Sequence, residues 1–233
     1  MEAPRAQQEE PNTLPLPQTQ TIGLSTPQSS ITDNDHEPND PFRHNAALWL
    51  TNLPPNCTIR QLIRAIISVG PTGRILFCKI APPYLSKHNW AAKVVFATRL
   101  EARRLLAVSR SRLFFVRGHR IHVDWHRVLS TSFHAIEPIT RVLIIEGPSY
   151  IVDRSALRAY FRRKLRTLDT EEVIELERPE GDRQRATIIW RFGSWFGQAQ
   201  TAAAALGEDY PDLVDVHYGL DPCASLRPED FTP

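Results

Sequence analysis

The chain has 233 residues, 42% of them apolar and 23% charged, with a formal net charge of +2. That is globular composition, and its apolar runs stay well short of the ~20 residues a membrane-spanning helix needs. The near-neutral total hides a division into three: residues 1–44 carry 2 Lys/Arg against 7 Asp/Glu (−5), residues 45–131 carry 14 against 2 (+12), and residues 132–233 carry 12 against 17 (−5).

A stretch at +12 draws polyanions, because acidic flanks do not cancel a local field beyond about 8–10 Å. The polar, acidic N-terminus has no apolar core of a secretory signal, so a secreted protein is not expected. Cys57, Cys78 and Cys223 are odd in number and scattered, which suits a reducing compartment and builds neither a disulfide framework nor a zinc site.

Residues 1–44 hold seven prolines and many Gln, Ser and Thr, too little apolar surface to offset chain entropy, so a disordered tail is expected. A first strand is expected over Leu48–Leu53, stopped by Pro54-Pro55. Ile59, Leu62, Ile63, Ile66 and Ile67 then recur at helical spacing, with Thr58 as N-cap and Gly70-Pro71 as terminator. Gly73–Ile80 reads as a second strand. A polar loop with Lys87, His88 and Asn89 leads to a third strand over Ala91–Phe96. Thr98-x-x-Glu101 is a capping box that opens a second helix through Leu105 and Leu106. Arg120–Asp124 is the last strand. The order within residues 45–131 is β-α-β-β-α-β, the split βαβ sandwich.

The order repeats over residues 138–222. Val142–Ile145 is a strand, and Asp153 caps a helix with Leu157, Phe161 and Leu165 inward. Glu172–Glu177 and Ala186–Phe192 are strands around a Glu180-Gly181-Asp182 turn. An Ala-rich helix, Gln198–Leu206, precedes a closing strand, Leu213–Tyr218. Residues 223–233 form a tail. The expected fold is α+β: two tandem ferredoxin-like sandwiches, an internal duplication, behind a disordered segment.

Leu48-Trp49-Leu50-Thr51-Asn52-Leu53 resembles the six-residue RNP motif of the RNA recognition motif family, on the first strand where that family carries it. Gly118–Trp125 resembles the family's fourth strand. The resemblance covers residues 46–128 well and 140–220 loosely. It implies single-stranded RNA as partner, no cofactor, no catalysis and a nuclear location. The third strand departs from the family: in Asn89-Trp90-Ala91-Ala92-Lys93-Val94-Val95-Phe96, Ala91 and Lys93 stand where stacking aromatics belong.

Strand parity defines the candidate surface. If Leu48, Leu50, Ala92, Val94, Phe96, Ile121 and Val123 face inward, then Trp49, Thr51, Lys93, Arg120 and His122 face out, with Lys79 beside them. The expected RNA-binding residues are these six and Asn52 of the motif. One indole among cations predicts charge-dominated binding with weak sequence preference. In the second copy Leu143 stands at the Trp49 position, and the outward set Thr187, Ile189 and Arg191 is aliphatic. That copy is expected to be structural or to bind a partner protein; a purely protein-binding module is the alternative for the whole chain. No GxGxxG, GxxxxGK[ST] or GxSxG occurs, and His119, His122 and His126 lack cysteine companions, so neither catalysis nor a metal is expected.

Overall fold

Two four-stranded antiparallel sheets, each backed by two helices, follow one another along the chain. The computed structural model describes residues 44–83, 90–111, 114–130, 139–176 and 184–224. The expectations for residues 1–43, the Lys87-His88-Asn89 loop, the Glu180-Gly181-Asp182 turn and residues 225–233 lie outside the described residues.

The first copy runs β1 (Ala47–Leu53), α1 (Ile59–Ser68), β2 (Ile75–Ala81), β3 (Trp90–Phe96), α2 (Arg99–Arg110), β4 (Phe115–Val116), β5 (His119–Arg120) and β6 (His122–Trp125). Its sheet order is β2-β3-β1-β6. Both helices start at capping boxes: Thr58 with Gln61, and Thr98 with Glu101, each satisfying otherwise orphaned N–H groups. Leu48, Leu50, Ala92, Val94 and Phe96 turn inward and bury completely against Leu62, Ile63, Ile66 and Leu105.

The second copy repeats the plan: β7 (Val142–Pro148), α3 (Arg154–Lys164), β8 (Thr170–Glu175), β9 (Arg185–Phe192), α4 (Gln200–Asp209) and β10 (Asp215–Tyr218), in sheet order β10-β7-β9-β8. Asp153 caps α3 by accepting from the N–H groups of Ser155 and Ala156. A wide turn, Trp195–Ala199, precedes α4; Gly197 there sits at φ 72°.

One expected strand is broken. Arg120 pairs with Phe115 in a separate two-stranded hairpin, β4–β5, and only His122–Trp125 joins the main sheet. Arg117 (φ 48°) and Gly118 (φ 79°) form its left-handed two-residue turn. An arginine at the first left-handed position is a weak sequence signal, so the hairpin reads as loop. At Ile121 the N–H bonds to Phe114 O (3.1 Å), which separates the hairpin from β6.

The two copies interlock. Leu76, at a β2 bulge, leaves its own core and packs in that of the second copy. Ser194 Oγ accepts from Cys78 N (2.9 Å) and donates to Cys78 O (3.2 Å). Gly193 passes so close to α1 that a Cβ there would lie 2.9 Å from Ile59 Cγ2. Cys223, assigned to the tail by composition, is instead buried in the first copy's core, with Gly73 N donating to its carbonyl (2.9 Å). A neutral, apolar thiol side chain suits that site, but nothing in its neighbours Pro222 and Ala224 signals it.

At the junction Arg141 is fully buried, with Glu171 at 2.6 Å and Asp221 at 2.9 Å. It also donates to Phe192 O (3.0 Å). Burial opposes its charge, but the neighbouring carboxylates of Asp221 and Glu171 outweigh burial and hold the guanidinium protonated, its pKa above the ordinary value. Asp221 completes the bridge between copies, accepting from Ile75 N (3.0 Å) as well as from Cys223 N (3.0 Å).

All three cysteines are buried and free. Burial pushes the Cys78 thiol up to about 12 and raises Cys57 and Cys223 as well. The thiolate is the reacting form. A thiol reagent such as Ellman's should therefore find no fast-reacting cysteine in the native chain at pH 8 and all three in urea. A fast native thiol would show that the junction opens.

Candidate nucleic-acid interface

The open face of the first sheet is built by register. Trp49 on β1 pairs with Lys93 on β3, and Lys93 with Lys79 on β2. On the other side Trp49 pairs with Asp124 on β6. One row across the sheet therefore reads Asp124, Trp49, Lys93, Lys79. Lys79 and Asp124 are exposed; Trp49 and Lys93 are partly buried, as expected for interior strands of an open face. A second row begins His122–Thr51, with His122 exposed.

Two aromatic rings join this surface that sequence reasoning passed over. His126, just past β6, meets the Trp49 ring edge-on, with centroids 5.5 Å apart at 64°. The contact supports the indole without covering it, since Trp49 stays partly exposed. Phe77 pairs with Val95 and so lies on the open side, two residues from Lys79. Parity along β2 carries that signal: if Lys79 faces out, Phe77 does too.

Asn52 and Arg120 stand apart from the row. Asn52 sits at φ 65° in a β1 irregularity, a conformation Asn tolerates, and its amide donates to Arg120 O (2.8 Å). Parity on an unbroken strand places Arg120 within the sheet face. The break at Ile121 moves it to the hairpin at the rim, where Asn52 ties it to β1.

Much of the positive charge is used inside the molecule. Arg60 and Arg64 on α1 reach Glu172 of the second copy (3.8 and 3.0 Å). Arg74 bonds to Ile139 O (3.5 Å) and lies 4.0 Å from Glu101. Arg99 lies over the Trp125 ring, 4.6 Å from its centroid. Arg103, Arg104 and Arg110 are exposed on α2, on the layer opposite the open face. Lys79 and Lys93 are the lysines of the face itself.

The second sheet presents a different surface. Leu143 is fully buried, and Ile144 takes the place that Trp49 holds in the first copy, pairing with Ile189 as Trp49 pairs with Lys93. The sequence alignment is thus off by one; a run of four aliphatics, Val142–Ile145, carries no parity of its own. Ile189 pairs on to Ile174, which gives an isoleucine row flanked by the Glu172–Arg191 ion pair (2.6 Å).

Twice-repeated β-α-β-β-α-β topology with the first strand central defines a tandem RNA-recognition-motif architecture. No family model matches the chain, and no curated protein sequence matches it. Among solved structures it is similar to the Sex-lethal RNA recognition domains 1 and 2 from Drosophila melanogaster (20% identity, 75% of this chain and 100% of that one, TM-score 0.28). It is also similar to the first two RRM domains of the yeast poly(U) binding protein Pub1 (16% identity, 75% and 99%, TM-score 0.28). At such values the likenesses bear on no ligand, and the fold rests on this chain's own strand order. Among the described residues no group of three His, Cys, Asp or Glu side chains converges on a metal position, and no helix is long and apolar enough to cross a membrane.

Proposed function

We propose that the first copy binds single-stranded RNA, without catalysis and with weak sequence preference, on its open sheet face. The observation that carries this reading is the row Trp49–Lys93–Lys79, an indole beside two ammonium groups on an uncovered antiparallel surface. A base stacks on Trp49, and Lys93 and Lys79 meet phosphates to one side. Thr51 and His122 offer polar contacts to the base edge or sugar, with Asn52 and Arg120 at the rim. Phe77 supplies a second, more distant ring. Asp124 beside Trp49 limits how many phosphates can approach from the β6 side.

Binding should weaken with salt. For single strands log K falls with a slope of about −0.7 per phosphate neutralised. Titration of a pooled RNA oligonucleotide at several salt concentrations measures that slope. Lys79→Gln with Lys93→Gln should make it shallower by about 1.4, for two phosphates lost. An unchanged slope would remove both lysines from the interface; no binding at low salt would overturn the reading.

A second reading has its own support. The row Ile144–Ile189–Ile174 offers the second sheet to another protein rather than to bases. On this reading the second copy is the partner-binding half of a ribonucleoprotein component, and the two readings are compatible. Crosslinking the chain in cell extract and identifying both bound RNA and bound protein separates them.

A further inference from the structure

Between α1 of the first copy and the α3–β8 corner of the second lies a polar cleft of about 400 Å³, walled by Arg60, Arg154, Arg158, Thr170, Glu171 and Glu172. Its acids are already engaged. Glu171 is held by buried Arg141 at 2.6 Å. Glu172 is shared by Arg191 (2.6 Å) and Arg64 (3.0 Å), with Arg60 farther off at 3.8 Å. Arg154 is taken up by Glu175 (2.7 Å). Arg158 has the face of Trp190, 5.8 Å from the ring centroid, and no close carboxylate. Thr170 Oγ1 is buried without a hydrogen-bond partner.

Counting the groups just behind the wall, six guanidiniums (Arg60, Arg64, Arg141, Arg154, Arg158, Arg191) stand against the four carboxylates of Glu171, Glu172, Glu175 and Asp221. The surplus of two positive charges sits in a concavity, where the field is focused rather than dissipated. We infer that this cleft, formed jointly by the two copies, binds a dianionic phosphate group. Arg158 and Arg60 present planar forks that match two phosphate oxygens, and the Thr170 hydroxyl serves a third. A phosphate monoester or inorganic phosphate carries about −1.5 to −2 at pH 7, which balances that surplus; a backbone diester carries half as much. The source is either free phosphate or the terminal phosphate of an oligonucleotide.

The test uses the full chain. Thermal midpoints are compared in 10 mM inorganic phosphate and in sodium chloride of equal ionic strength. Phosphate should raise the midpoint by about 3 °C, the shift expected for a ligand at several times its Kd in a protein of this size. Arg158→Gln and Arg60→Gln, each measured against its own chloride baseline, should lose most of that increment. Trp49→Ala should keep it, which separates this site from the sheet face. In a second arm, RNA oligonucleotides with a 5′-phosphate and with a 5′-hydroxyl are titrated. A preference for the phosphorylated end that disappears in Arg158→Gln assigns the site to RNA termini. Equal affinity, together with the midpoint shift, assigns it to free phosphate. Equal midpoints in phosphate and chloride, or a full increment in Arg158→Gln, would overturn the proposal.

Discussion

Replacing Arg141 by Ala should destabilise the whole chain by about 3–5 kcal/mol, because it leaves two buried carboxylates without their counter-charge. Glu171 and Asp221 are 3% and 2% exposed, so water cannot take over the role of the guanidinium. The substitution also vacates the donor to Phe192 O and the space the side chain fills. Asp221 would keep its bonds from Ile75 N and Cys223 N but would hold an unpaired charge across the junction. Urea unfolding of the full chain measures the loss. A cost under about 1 kcal/mol would show that the triad is peripheral to stability. Arg141→Met combined with Glu171→Gln and Asp221→Asn buries no charge, keeps acceptors for the two N–H groups, and should recover most of the loss. That recovery would assign the cost to electrostatics rather than to the lost volume.

Trp49→Ala should weaken RNA binding by about 1–3 kcal/mol, roughly 5–150-fold, the worth of one stacked base. The prediction follows from position: the ring is on the outer side of β1, partly exposed, and supported edge-on by His126. Its loss should leave the core of Leu48 and Leu50 intact, so circular dichroism and the unfolding midpoint should change little. Trp49→Phe, which keeps a ring, should retain most of the affinity. Unchanged binding in Trp49→Ala would take the indole out of the interface and leave charge alone to account for any RNA affinity.

The sequence made the skeleton of this protein legible because its local signals agree. Alternation on β1 and β3, helical spacing on α1 and two capping boxes all point to one topology. Where signals were weak or non-local, the structure goes its own way. The Arg117-Gly118 turn makes a hairpin that propensity does not favour, and this shifts Arg120 to the rim. The isoleucine-rich β7 has no polar residue to mark its outer side, so its alignment slips by one. Above all, the junction is invisible from sequence. Arg141 lies 30 residues from Glu171 and 80 from Asp221, and nothing local to any of them marks an ion pair. The same holds for charge: a count of +12 does not reveal that Arg60 and Arg64 face an acid of the second copy.

The competing surface for an anionic chain is α2, where Arg103, Arg104 and Arg110 are exposed. Ultraviolet crosslinking of a pooled single-stranded RNA to the full chain, followed by peptide mapping, chooses between the two sides of the first copy. Adducts are predicted on the peptides that contain Trp49 in β1 and Lys93 in β3. Adducts confined to the α2 peptide, or none at low salt, would contradict RNA binding on the open sheet.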